Sequence, residues 1–77
     1  MPRFIPISWR KFEKFLIFVG CEFEREKGDH RIFWRKGLSR PIVFPREKEL
    51  PLFVIRNNLR VLGIDRNEFL EIINRMK

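Results

Sequence analysis

This sequence predicts an α+β fold in the order α-β-β-β-α-α, with a three-stranded antiparallel sheet and the helices packed on one of its faces. Three observations predict it. The apolar period is helical up to about residue 20, alternates from residue 21, and is helical again from about residue 51. The strand-like runs are joined by only two or three residues, Gly28-Asp29 and Gly37-Leu38-Ser39, links that suit antiparallel neighbours. The third is a strong helix-start signal at Asp65, with Glu68 three residues on.

The first helix starts at Ser8, a good N-cap residue. Trp9, Phe12, Leu16 and Val19 then fall along one face, Phe15 widens the stripe, and Gly20 ends it. Ile17 and Phe18 fall off the centre of that stripe and hint at a second contact. Cys21 to Lys27 alternates in the strand period, with Cys21, Phe23 and Arg25 on one face and Glu22, Glu24 and Glu26 on the other. His30 to Lys36 reads as the second strand and Arg40 to Phe44 as the third. Pro41 suits a strand start or an edge, because it donates nothing to a ladder. Arg46 to Leu50 is a charged loop. Pro51 fits the first position of a second helix, whose apolar face is Leu52, Ile55, Leu59 and Leu62 and which Gly63 closes. Asp65 caps the third helix. Ile64 and Phe69 can form a hydrophobic staple around that cap, with Ile72, Ile73 and Met76 continuing the core face.

Length and composition narrow the function classes. The 77 residues, 1–77, suffice for one domain with a thin core, since a chain of this size buries only roughly 60% of its unfolded surface. There is no Ala, Thr or Gln, so tertiary packing must hold the helices, and nine Phe supply much of the apolar volume. Cys21 is the only cysteine and His30 the only histidine. That excludes an intramolecular disulfide and a zinc site of the usual four ligands. Cys21 reads as a small buried hydrophobe, with no basic partner evident beside it. The longest apolar run, Phe15 to Val19, is too short to cross a bilayer, and no secretory pattern opens the chain. A reduced, cytoplasmic setting is expected, with no membrane partner and no metal or organic cofactor.

The formal net charge is +7, unevenly spread. Residues 27–46 carry six basic side chains against one acid, while the rest of the chain carries eleven against nine. A concentrated excess of this kind fits a nucleic-acid phosphate backbone; the plain alternative is a solvated surface that keeps a Phe-rich domain soluble. His30 sits inside this segment, in Lys27-Gly28-Asp29-His30-Arg31. Imidazole titrates near neutral pH, at roughly 6.5 when unperturbed, so it can take a proton and give it back. A proton-transfer group beside cations points to chemistry on a phosphodiester; a packing or capping turn histidine is the alternative. Around His30, Lys27, Arg31 and the amides near Gly28 are candidates to stabilise charge on a phosphorane. Arg35, Lys36, Arg46 and Lys48 are candidates for a phosphate track. Arg56 and Arg60, one turn apart, suit either a phosphate or nearby Glu residues. Trp34 falls on the strand face of His30. So large a ring reads as core ahead of a base-stacking platform.

The segment Arg25-Glu26-Lys27-Gly28-Asp29-His30-Arg31-Ile32-Phe33 resembles the HicA (YcfA-like) family of toxin endoribonucleases. So do Ile42-Val43-Phe44-Pro45, Lys48-Glu49-Leu50-Pro51 with Ile55 to Leu59, and Leu62-Gly63-Ile64-Asp65-Arg66-Asn67-Glu68-Phe69-Leu70. The resemblance spans about residues 7–73. It implies a double-stranded-RNA-binding-domain-like (dsRBD-like) fold, cleavage of mRNA, and a HicB-type antitoxin partner that covers the site. It places the family's catalytic histidine at His30. Three features depart from the family pattern. Asp29 stands where Ser is usual, and an acid there can orient His30 or repel a phosphate. The loop before the second helix lacks the usual Gly. Arg40-Pro41 replaces a more typical strand entry.

Taken together, the expected function is metal-independent endoribonuclease action with His30 as general base; no residue stands out as the general acid. Two other classes fit the same fold, because fold does not fix function. One is a non-catalytic RNA-binding module, for which His30→Ala leaves affinity unchanged. The other is a basic protein-interaction domain, which binds one acidic partner tightly and RNA weakly at physiological salt.

Overall fold

A computed structural model of the protein describes residues 4–76; residues 1–3 and 77 lie outside the described part. Its elements are α1 (Trp9–Phe18), β1 (Glu22–Lys27), β2 (His30–Trp34), β3 (Ile42–Pro45), α2 (Leu52–Leu62) and α3 (Arg66–Arg75). This is the α-β-β-β-α-α order and the α+β class that the sequence predicts. The sheet runs β1-β2-β3, both pairs antiparallel, so the strand that begins with His30 is central.

One face of the sheet carries the helices. Phe33, Ile42 and Phe44 are fully buried there, in one cluster with Phe12, Phe15 and Leu16 of α1, Ile55, Leu59 and Leu62 of α2, and Phe69 of α3. The rings interlock: Phe12 meets Phe44 edge-on at 5.1 Å and Phe15 meets Phe69 edge-on at 4.8 Å. Such pairs add to plain area burial, which matters in a core this small. Asn58, the one buried polar side chain among the described residues, donates from Nδ2 to the Val43 carbonyl at 3.0 Å and so ties α2 to β3. The caps agree with expectation. Ser8 Oγ accepts the Lys11 N–H, and Asp65 Oδ1 accepts the Glu68 N–H.

Several boundaries differ from the sequence reading. Cys21 lies before β1, with its N–H bonded to the Leu16 carbonyl at 2.9 Å, so it closes the turn after α1 and does not enter the strand. β1 contains a bulge between Phe23 and Arg25: Phe23 pairs with Phe33, but Arg25 pairs with Ile32. A bulge adds one residue and reverses the facing of all that follow. Phe23 and Arg25 therefore face opposite ways, against the expected shared face, and Glu26 turns to the helix side. β2 stops at Trp34 and β3 starts at Ile42, which leaves Arg35, Lys36 and Arg40 in the connection. Pro51 caps α2 from outside and is not its first residue. Ile17 and Phe18 find no second contact and remain 58% exposed each. No helix among the described residues is long and apolar enough to cross a membrane.

Candidate functional site

His30 is the first residue of the central strand, immediately after a two-residue hairpin loop. Gly28 opens that loop at φ +63°, where a side-chain-bearing residue would be strained, and two-residue hairpins favour glycine at that position. The loop is held from the other side too, because the Arg46 N–H donates to the Asp29 carbonyl at 3.0 Å. His30 is thus flanked by Lys27 on β1 and Pro45 on β3, its direct cross-strand partners. Directly paired residues share a face at about 5 Å between their Cβ atoms.

That face is the one without helices. His30, Ile32 and Trp34 run along it, with Val43 and Pro45 on one side and Arg25 and Lys27 on the other. The imidazole is half exposed, and its Nδ1 lies 3.0 Å from Asp29 Oδ1. Trp34 is 38% exposed and takes no part in the core cluster, against the expectation that it is core. The reason is topological. All three helices pack on the opposite face, and Trp34 lies on the face they leave open. Ile32, on the same face, is buried yet also outside that cluster.

The predicted cations divide into two groups. Lys27, Lys36 and Lys48 are exposed and form no ion pair among the described residues. Lys48 lies in the loop before α2, which is pinned to the N-terminal segment by Trp9 N–H to the Glu47 carbonyl (3.0 Å) and Leu50 N–H to the Ile7 carbonyl (2.8 Å). Lys36 sits in the turn after β2 and is not brought next to His30 by any strand pairing. The second group is engaged within the fold. Arg31 points to the helix face, opposite to His30. Its guanidinium pairs with Glu13 of α1 at 2.5 Å and Glu26 of β1 at 3.1 Å, and lies 4.4 Å from the Phe23 ring centroid and 5.3 Å from that of Trp9. Arg46 pairs with the other oxygen of Glu26 at 3.1 Å while remaining half exposed. Arg35 donates to the Val19 carbonyl at 2.8 Å and so satisfies the C-terminal end of α1. Sequence reasoning had no local signal for these engagements, since each joins residues far apart in the chain.

Cys21 is buried, and burial pushes its thiol pKa up; nearby Arg35 pulls the other way with smaller effect. A basic partner is present after all, but the thiol stays in its protonated, weakly nucleophilic form. Among the described residues no group of three His, Cys, Asp or Glu side chains is clustered as metal ligands.

Comparison with known proteins gives one family. A family model described as "HicA toxin of bacterial toxin-antitoxin" matches residues 9–64, the span from α1 to the end of α2. No curated protein and no solved structure matches the chain.

Proposed function

Because the chain belongs to the HicA toxin family, we propose that it is an endoribonuclease of a toxin–antitoxin system, cleaving RNA with His30 as general base. One observation carries the reading. The only imidazole of the chain stands half exposed on the open sheet face, beside a carboxylate and opposite a lysine that forms no ion pair among the described residues.

With Nδ1–H donating to Asp29 Oδ1, the neutral ring keeps Nε2 bare as the proton acceptor. Nε2 takes the proton from a ribose 2′-hydroxyl, whose oxygen attacks the adjacent phosphorus. The bond from phosphorus to the 5′-oxygen breaks, giving a 2′,3′-cyclic phosphate and a 5′-hydroxyl. Water or the returning imidazolium supplies the proton to the 5′-oxygen. The Lys27 ammonium and the backbone amides near Gly28 supply positive potential beside the phosphorane. Arg31 contributes to this field from beneath the sheet and not by direct contact, since its guanidinium is committed to Glu13 and Glu26. Lys36, Lys48 and the free side of Arg46 extend the phosphate track, and Trp34 offers a ring for a base. The reaction needs no metal, and the neutralising partner is a HicB-type antitoxin.

The test is incubation of a long single-stranded RNA with the protein in EDTA, wild type beside His30→Ala. Cleavage that the substitution abolishes is expected. RNA that stays whole with wild type but is retained in a gel-shift assay would sink the enzyme reading and leave a binding module.

A further inference from the structure

We propose that the corner between α2 and α3 is a second binding site, which takes a short acidic–apolar peptide segment of a partner protein. A groove of about 420 Å³ lies there. Its floor is apolar: Phe4, the buried Leu59 and the half-buried Ile64. Its rim is Arg56 and Arg60 from α2 and Arg66 from the first turn of α3. All three arginines are exposed, and none forms an ion pair among the described residues. The one acid in the groove is Asp65, and its Oδ1 is occupied by the Glu68 N–H at the helix cap.

The choice of occupant rests on charge and shape. Three unpaired guanidinium groups around one engaged carboxylate favour an anionic partner, and guanidinium binds carboxylates and phosphates in the same forked way. The floor separates the two. Nucleic acid gains from a free aromatic face on which a base stacks. The only ring here is Phe4, set edge-on against Phe69 at 6.1 Å with the Arg56 guanidinium 6.0 Å over its face. The remaining floor is aliphatic and concave, which suits a Leu-, Ile- or Phe-sized side chain. Carboxylates on either side of such an anchor then meet the arginine rim, the usual anatomy of an apolar centre with a polar margin.

The groove is distinct from the His30 site. None of its residues belongs to the sheet or to the loop at His30. Phe4, Asp65 and Arg66 also lie outside the span matched by the family. The proposal therefore stands independently of the ribonuclease reading.

The experiment is a selection of random displayed peptides on the full chain, followed by titration of the best peptide into isotope-labelled protein. Arg56→Glu and Arg60→Glu are tested singly and together, with thermal unfolding to confirm that they fold; both residues are exposed and unpaired. Selected peptides should combine Asp or Glu with an aliphatic or aromatic residue and shift the amide signals of residues 56–66. The double reversal should weaken binding about tenfold or more. Selected peptides without acids, affinity indifferent to both reversals, or groove signals that move with a single-stranded RNA oligonucleotide and not with the peptide would each overturn the proposal.

Discussion

Asp29 and His30 are sequence neighbours whose side chains meet: Oδ1 of the one lies 3.0 Å from Nδ1 of the other. Neighbours on a regular strand point to opposite faces. These two meet because Asp29 is the last loop residue and His30 the first of β2. In the proposed mechanism the pair selects the ring tautomer, so its loss should reduce cleavage without removing the proposed base. We expect Asp29→Ala to lower the rate by about ten- to a hundredfold through loosened orientation, against about 10² to 10⁴ for His30→Ala. Asp29→Ser, whose hydroxyl can also accept from Nδ1–H, should retain most activity. Equal rates for wild type and Asp29→Ala would remove Asp29 from the mechanism.

Arg31 should behave as a structural residue. Its guanidinium joins α1 to β1 through Glu13 and Glu26 and packs on two rings. Arg31→Ala leaves the partly buried Glu13 carboxylate unpaired and Glu26 with Arg46 alone, and should cost about 1 to 3 kcal/mol, read as a lower urea midpoint. If that variant keeps its midpoint but loses RNA affinity, Arg31 reaches the RNA and the network is incidental.

Trp34 should report on RNA. Its fluorescence should change on titration with single-stranded RNA. Trp34→Ala should weaken binding by about 1 to 3 kcal/mol for one stacked base, with little change in stability because the ring is outside the core. Trp9 remains in both proteins, so the variant isolates the Trp34 signal. An unchanged affinity would return Trp34 to the role of a surface ring.

Cys21 sets a pH dependence. Burial raises its pKa above the ordinary 9.0. Above that ordinary value the unfolded chain loses the thiol proton while the folded chain keeps it. The stability linked to Cys21 is thus complete below the unfolded pKa and falls as pH rises through the folded one. Unfolding midpoints should drop on the alkaline side, and less so in Cys21→Ala. Alkylation at pH 8 should be slow in buffer and fast in urea; equal rates would show an accessible thiol.

Lys36 should act through charge alone. Lys36→Ala is expected to weaken RNA binding uniformly across sequences and to reduce the slope of log K against log salt by about 0.7 for a single strand. A slope identical to wild type would take Lys36 off the phosphate track.

The element order, the caps at Ser8 and Asp65, the antiparallel links and the hairpin that presents His30 are all legible in the residues alone. Each of these is local: an apolar period, a capping side chain, or a glycine at φ +63°. The family resemblance was legible for the same reason, since it rests on short runs around residues 25–33 and 42–45. Tertiary structure decided what those residues face. The bulge between Phe23 and Arg25 reversed the second half of β1 and sent Glu26 beneath the sheet to meet Arg31. That ion pair, with Glu13 on a helix eighteen residues earlier, engages one of the predicted RNA-binding residues as a brace within the fold. Trp34 was left in the open because every helix chose the other face. Side-chain periodicity marks two faces of a strand, but which face is covered depends on where distant helices find the larger apolar surface, and only the folded chain specifies that.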